Sequence, residues 1–344
     1  MVNRFAFGQL DVPVIAAPMA GGPSTPELVA AVTNAGGLGF IAAGLLSAEG
    51  CAEQIVAARK LTTGPIGVNL FVPQPLTGTS AQLQAYATAL ADEARHYGVR
   101  LGDPRHGDGG WAAKLDVVHD LRPDVVSFTF GAPASEDSVR LRNAGIQPVA
   151  TVTTVEEAHI ALARGAHALI VQGPSAGGHR ATFDPTAPPV DEPLEDLLAA
   201  LVARVDVAIV AAGGLATADD VAAVINMGAI AAQLGTAFLL AHEAGTNPVH
   251  RAALTDPQFT QTVFTRAFTG RYARGLRNRF IDEHECDAVF GFPVCDGCQN
   301  ARAYRERLRI VCAHCEKPFH PKRSDARFCS NACRQAAYRA RGRP

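Results

Sequence analysis

Short apolar runs rich in Val and Ile alternate along this chain with longer segments of helical periodicity. Each repeat has the pattern of a β-strand followed by an α-helix, the unit from which parallel sheets are built. The predicted strands span residues 12–17, 38–42, 66–70, 125–129, 147–152, 168–172, 208–212 and 231–234. The clearest predicted helices span residues 25–34, 48–60, 155–164 and 217–227. The pattern predicts an α/β fold with eight parallel strands.

The position of the glycine-rich turns favours a (β/α)8 TIM barrel over an open, doubly wound sheet. The first predicted strand is followed by residues 17–22, which lack a G-x-G-x-x-G sequence. Glycine-rich turns instead follow the sixth, seventh and eighth strands, where barrels build phosphate sites. The longest interruption, residues 72–110, follows the third strand and contains a predicted helix at 81–97. We expect this insertion to form part of a lid over the active-site end.

Composition and charge divide the chain in two. It has 344 residues, 48% of them hydrophobic, which is enough for one barrel and a small second domain. Residues 299–344 hold 12 Lys or Arg against 3 Asp or Glu, although the whole chain has a net charge of −2. Of the 8 cysteines, only Cys51 lies before residue 286. We therefore predict a barrel over residues 1–290 and a separate basic tail over residues 291–344.

The lengths of the apolar runs also indicate where in the cell the protein is expected. None reaches the roughly 18 residues that a membrane-spanning helix needs, and the N-terminal segment does not fit a signal peptide. We expect a cytoplasmic protein without membrane contact, either a monomer or a dimer.

The candidate catalytic and cofactor-binding residues lie in the glycine-rich turns. His179 follows Gly177 and Gly178 on a loop directly after an apolar strand, and its imidazole can move a proton near neutral pH. Two later strand ends carry Gly213-Gly214 and Gly235-Thr236, whose backbone amides and hydroxyl suit a phosphate group. The residues alone therefore predict a phosphorylated cofactor beside a histidine.

Six segments together resemble the flavin-dependent nitronate monooxygenases. They are residues 17–22, 67–71, 172–180, 211–215, 233–239 and 270–275, and the resemblance covers residues 1 to about 285. It implies an FMN-containing TIM barrel that oxidises alkyl nitronates with O₂ to a carbonyl compound and nitrite. His179 matches the family's active-site histidine, expected near flavin N5, where it would abstract the α-proton of a neutral nitroalkane or orient a nitronate.

The resemblance also implies the cofactor contacts. Asn69 and Gln172 would bond the isoalloxazine or ribityl part of FMN. The other implied FMN-binding residues are Pro18, Met19, Ala20, Gly177, Gly178, Gly213, Gly214, Gln233, Leu234, Gly235 and Thr236. Flavin-dependent enoyl-acyl carrier protein reductases, which use NAD(P)H, look similar over the same glycine and histidine segments and are the alternative.

The tail departs from the family pattern, which continues differently after about residue 285. Four thiols, Cys312, Cys315, Cys329 and Cys333, form two close pairs with the spacing of a tetrahedral structural Zn²⁺ site. The segment resembles a small bacterial zinc-ribbon or treble-clef module. The pair Cys295 and Cys298 has the same spacing as the first of these pairs and is a rival.

Basic side chains crowd this predicted metal site, including Arg334, Arg339, Arg341 and Arg343. One interpretation of these residues is that they bind nucleic acid weakly through its phosphates. The other is that they form a solvated basic surface without a ligand. A further alternative is an inactive barrel that carries a zinc-dependent nucleic-acid-binding module.

Overall fold

The structure is a computed structural model that describes residues 10–102 and 107–284, together with the backbone of residues 310–311 and 318–319. The chain divides into two units, residues 1–290 and 291–344. The assignment of the first unit to FMN and of the second to zinc stays a prediction.

Eight parallel strands form a closed barrel in the first unit. They are β1 (Val14–Ala16), β2 (Leu38–Ala42), β3 (Ile66–Phe71), β4 (Val125–Thr129), β5 (Gln147–Val152), β6 (Ala168–Gln172), β8 (Ala208–Ala212) and β9 (Ala231–Leu234). The last strand pairs with the first, with Val14 opposite Ala232, so the sheet has no free edge. This closure confirms the barrel and rules out the open, doubly wound sheet. All eight strands lie within a residue or two of their predicted positions.

Helices follow the barrel strands, and several of them pack against those strands. In the first unit they are α1 (Pro26–Asn34), α2 (Ala48–Leu61), α3 (Ser80–Ala89), α4 (Ala91–His96), α5 (Trp111–Leu121), α6 (Ser135–Asn143), α7 (Val155–Ala163), α8 (Leu194–Val202), α9 (Ala218–Asn226), α10 (Pro248–Thr255) and α11 (Arg279–His284). Helices α2 and α7 begin at the predicted residues 48 and 155. Helices α1 and α9 begin one residue later than predicted, because Thr25 and Thr217 cap them with their side chains instead of forming their first residue.

The helix predicted at 81–97 is two helices, α3 and α4, which meet at Leu90. The backbone of Leu90 has φ −84° and ψ −4°, outside ideal helical geometry. No Gly or Pro marks this break in the sequence, so the pattern of residues did not reveal it. That residues 72–110 are an insertion acting as a lid stays a prediction.

Each barrel strand is buried on both faces. In β6, Leu169 and Val171 pack in a cluster with Leu197 and Leu201 of α8. The alternate residue Ile170 packs with side chains of other strands inside the barrel. Such two-sided burial explains why the strand segments read as continuous apolar runs rather than alternating ones.

A small antiparallel sheet adjoins the end of β6. It contains β7 (Gly178–His179), β10 (Thr262–Thr265) and β11 (Ala273–Leu276) in the order β10-β11-β7. β10 and β11 form a hairpin, and β11 pairs with β7 so that Ala273 lies opposite His179. The hairpin loop, residues 266–272, is thereby brought to the strand that carries the histidine.

Two further observations complete the fold. In the second unit, β12 (Ile310–Val311) pairs antiparallel with β13 (Pro318–Phe319). Within the part of the chain that the structure describes, no helix is long and apolar enough to cross a membrane.

Candidate active site

Loops that follow β6 and β9 meet at the carboxyl-terminal end of the barrel, and a third loop, after β8, packs against the first. A Cβ atom on Gly177 would lie 2.8 Å from Oγ1 of Thr236, and one on Gly214 would lie 2.8 Å from Cβ of Ser175. Contacts this close leave no room for a side chain at either glycine. The loops after the sixth, seventh and eighth barrel strands therefore approach one another closely at these glycines.

The same end of the barrel offers polar groups that suit a phosphorylated cofactor. Oε1 of Gln233 is buried, and no described residue donates a hydrogen bond to it. Thr236 is exposed and follows Gly235 directly. The loop after β1 also reaches this place, since a Cβ atom on Gly235 would lie 3.9 Å from the sulfur of Met19. A cradle of glycines fits the phosphate of FMN, and a buried amide oxygen that lacks a donor fits an O–H or N–H group elsewhere on the cofactor.

His179 is held by its backbone from both sides. The amide Nε2 of Gln172 donates to the carbonyl of His179 at 3.1 Å, and Oε1 of Gln172 accepts from the backbone N–H of Ala181 at 2.9 Å. On the other side, the backbone N–H of Arg180 donates to the carbonyl of Tyr272 at 2.8 Å. Bonds from β6 and from the hairpin thus fix the short strand that carries the imidazole.

Three side chains surround the imidazole. Nε2 of His179 lies 2.7 Å from Oγ1 of Thr269 in the hairpin loop. The ring of Phe130 meets the imidazole edge to face, with 5.9 Å between ring centroids. Burial lowers the pKa of His179 below its ordinary value, and the positive charge of Arg271 lowers it further. The neutral, proton-accepting form therefore predominates at pH 7.

Phe130 occupies a strained backbone position next to the histidine. It follows β4 with φ 72°, a left-handed conformation that an aromatic residue rarely adopts. Nε2 of Gln74 donates to its carbonyl at 2.7 Å, and its ring packs on that of Phe71 at 4.8 Å. Strain of this kind clusters at functional sites. Phe130 was not among the residues predicted from the sequence, although an aromatic residue before Gly131 at a barrel strand end was a usable signal.

Arg271 lies in the hairpin loop and stacks on the ring of Phe130. Its guanidinium carbon is 4.0 Å from the centroid of the Phe130 ring, and its Nη2 donates to the carbonyl of Thr182 at 3.1 Å. Burial lowers the pKa of Arg271 to about 10, so the side chain remains a cation at neutral pH. Arg271 lies in one of the segments that resemble the family, but no role was predicted for it.

Two of the predicted FMN contacts have protein partners in this structure. Nδ2 of Asn69 is buried and donates to Oγ of Ser127 at 3.0 Å and to Oγ1 of Thr129 at 2.9 Å, both on the neighbouring strand β4. The amide of Gln172 is bonded to the backbone around His179, as described above. Contacts from these two residues to FMN stay predictions.

The remaining predicted FMN residues also lie at or near this end of the barrel. Gly178 pairs with Arg274 in the small sheet, and a Cβ atom on Gly213 would lie 3.0 Å from the carbonyl oxygen of Gly173. Leu234 packs its side chain in the core. Pro18 and Ala20 are partly exposed in the loop after β1.

The predicted metal ligands Cys312, Cys315, Cys329 and Cys333 lie outside the described residues, as do Cys295, Cys298 and the basic side chains of the tail. The zinc site, the zinc-ribbon resemblance and nucleic-acid binding therefore stay predictions.

A closed parallel barrel with a histidine and glycine-bearing loops at the carboxyl ends of its strands defines a TIM-barrel enzyme. Comparison with known proteins identifies the family to which it belongs. The family model described as nitronate monooxygenase matches residues 6–312, so the chain belongs to the nitronate monooxygenase family. The match extends beyond residue 285, where the resemblance read from the sequence ended.

Three relatives illustrate the similarity. The structure of a nitroalkane oxidase from Streptomyces ansochromogenes is 48% identical, covers 83% of this chain and 82% of its own, and superposes with a TM-score of 0.78. A nitronate monooxygenase of Paraburkholderia phytofirmans is 38% identical over 79% of this chain and 75% of its own length. A probable nitronate monooxygenase of Staphylococcus aureus is 35% identical over 80% of this chain and 78% of its own length. These names do not favour the enoyl reductase or inactive-barrel alternatives.

Proposed function

We propose that this protein uses FMN and O₂ to oxidise alkyl nitronates, and neutral nitroalkanes after deprotonation, to carbonyl compounds and nitrite. The observation that carries the proposal is the position of His179. Its imidazole lies at the catalytic end of the barrel, two residues after Gly177, whose loop abuts Thr236. One loop therefore offers both a proton acceptor and a contact to the cofactor cradle.

The loops that meet at the barrel end would hold FMN. In this proposal the backbone of Gly177, Gly214 and Gly235 and the hydroxyl of Thr236 bind the phosphate side, and Oε1 of Gln233 accepts a hydrogen bond from the cofactor. When bound, FMN supplies the redox chemistry by accepting electrons from the substrate and passing them to O₂.

The side chains of the protein perform the acid–base and positioning steps. His179 removes the α-proton of a neutral nitroalkane, because its lowered pKa keeps the imidazole neutral and able to accept a proton. With a nitronate, which has already lost that proton, the same side chain only orients the substrate. Phe130 and Phe71 form an apolar wall beside the imidazole that limits water at the reacting carbon.

A single set of measurements tests this proposal. The visible spectrum of the purified protein is recorded, an alkyl nitronate is added in air, and nitrite, O₂ and NADH are followed in parallel. A yellow protein that forms nitrite and consumes O₂ without NADH supports the proposal. Oxidation of NADH without nitrite would support the reductase instead, and a colourless protein that forms no nitrite would refute both flavin activities.

For the tail we propose a structural Zn²⁺ site formed by Cys312, Cys315, Cys329 and Cys333. The antiparallel pairing of β12 with β13 brackets residues 312–317, the segment that contains the first pair. Metal analysis of purified variants tests it. Cys312→Ser and Cys329→Ser should each lower zinc from about one ion per chain, whereas Cys51→Ser, at a buried cysteine in the barrel, should not. Loss of zinc in Cys295→Ser but not in Cys329→Ser would favour the rival pair.

A further inference from the structure

One cation of the candidate site has buried hydrogen-bond donors that the protein leaves unused. In Arg271, Nε and Nη1 are both buried, and no described residue accepts a hydrogen bond from either. Among the residues that the structure describes, the carbonyl of Thr182 accepts from Nη2 at 3.1 Å and no other acceptor contacts the guanidinium. Buried guanidinium N–H groups without acceptors are uncommon in folded proteins and call for a specific explanation.

Neighbouring carboxylates do not use these donors. Asp184 and Glu157 are close enough to favour the charged form of Arg271. Asp184, however, accepts from the backbone and hydroxyl of Thr186, at 2.7 and 2.6 Å. Glu157 accepts from Thr153, and from the backbone N–H of Phe183 at 2.6 Å. Both carboxylates therefore accept hydrogen bonds from groups other than Arg271.

The guanidinium is also held in place. Its guanidinium carbon lies 4.0 Å from the centroid of the Phe130 ring, and the same ring makes a T-shaped contact with the imidazole of His179. Phe130, whose backbone has φ 72°, therefore contacts both side chains. Arg271 therefore presents a fixed positive charge beside the proton acceptor, rather than a flexible one in solvent.

We propose that Arg271 binds the two nitro oxygens of the substrate and makes the site selective for the nitronate anion over the neutral nitroalkane. This inference rests on the proposed function and adds the group that recognises the substrate. A nitronate is planar and shares its negative charge between two oxygens, which matches the planar fork of a guanidinium. Neutral nitroalkanes carry much less charge on the same oxygens.

Arg274 provides a matched control on the same hairpin. Its guanidinium also stacks on an aromatic ring, that of Phe264, at 4.2 Å. All three of its nitrogens have acceptors, however: Nε and Nη2 donate to the carbonyl of Pro174, and Nη1 donates to Oγ1 of Thr262. Replacing it removes the same charge from the same hairpin without removing unused donors.

The experiment measures binding of sodium nitrate, a planar anion with the same nitrogen–oxygen pattern, by titration calorimetry of the full-length protein. We expect Arg271→Met to weaken nitrate binding about tenfold or more, Arg271→Lys to retain part of it, and Arg274→Met to leave it nearly unchanged. In turnover assays, KM for a nitronate should rise about tenfold in Arg271→Met, while KM for the matching neutral nitroalkane should change much less. Thermal unfolding of each variant verifies that it is folded.

Two results would overturn the proposal. One is nitrate binding that is absent from the wild-type protein or unchanged in both Arg271 variants. The other is an equal loss in Arg271→Met and Arg274→Met, which would indicate general electrostatic attraction. Failure of the proposed function has a different signature, because a wild-type protein that forms no nitrite from a nitronate could still bind nitrate through Arg271.

Discussion

Nε2 of His179 lies 2.7 Å from Oγ1 of Thr269, a residue 90 positions later in the chain. The hydroxyl also accepts from the backbone N–H of Arg271 at 3.4 Å. With the ring proton on Nε2 and donated to this hydroxyl, the threonine fixes the orientation of the ring and leaves Nδ1 as the proton acceptor in the proposed reaction. We infer that Thr269 positions the imidazole of His179, the proposed catalytic base.

Thr269→Val removes the hydroxyl and keeps the side-chain shape. We expect kcat/KM for a neutral nitroalkane to fall about tenfold, the equivalent of one hydrogen bond of ~1.4 kcal/mol. Thr269→Ser, which keeps the hydroxyl, should restore most of the rate. Steady-state kinetics over a range of pH checks this, and a Val variant with the wild-type rate and pH profile would show that the hydroxyl does not position the ring.

His179→Gln removes the proton acceptor and keeps a polar side chain of similar length. Turnover of neutral nitroalkanes should fall about 10²- to 10⁴-fold, the usual contribution of a general base. Turnover of preformed nitronates should fall far less, because they have no α-proton to remove. His159→Gln, at an exposed position on α7, is the control. Equal losses on both substrates would remove the proton-abstraction role.

The pH dependence of the reaction should reveal the charge of Arg271. Burial first, and Arg271 second, hold the pKa of His179 below its ordinary value of 6.5. The acid limb of kcat/KM for neutral nitroalkanes should therefore lie below pH 6.5. In Arg271→Met one of the two causes is gone, so the pKa of His179 should rise and the limb should move to higher pH. In Arg274→Met the limb should stay in place, and a common shift in both variants would contradict this account.

The same pKa shift predicts an effect on stability. Between the lowered pKa of the folded state and 6.5, the unfolded chain binds a proton at His179 that the folded chain does not. His179 therefore disfavours folding as the pH falls through this range and has no such effect above it. Chemical denaturation of the wild type and of His179→Gln should show a flatter pH dependence of the free energy of unfolding in the variant. Parallel curves would show that the pKa is not lowered.

Gly214→Ala tests the cofactor cradle. Gly214 has φ 79°, and an added Cβ would lie 2.8 Å from Cβ of Ser175. Gly145, with φ 83° and nothing within 4 Å of an added Cβ, is the control. Each change should cost about 1 kcal/mol of stability for the left-handed backbone, but only Gly214→Ala should also lower the flavin absorbance per protein. Equal flavin content in the two variants would place the phosphate elsewhere.

The sequence alone determined the barrel, because its eight strands are short apolar runs whose pattern is local. It also selected His179 and the glycines of the β6, β8 and β9 loops, since a barrel brings the carboxyl ends of all its strands to one face. The break between α3 and α4 at Leu90 escaped prediction, because no residue type marks it.

Only the tertiary structure decided what surrounds the histidine. Phe130 comes from the end of β4, and Thr269 and Arg271 come from a hairpin that reaches His179 through the antiparallel pairing of β11 with β7. That pairing joins segments about 90 residues apart, and no local periodicity encodes it. The unused donors of Arg271 and the lowered pKa of His179 both arise from burial, which depends on packing between these distant segments and not on the sequence around either residue.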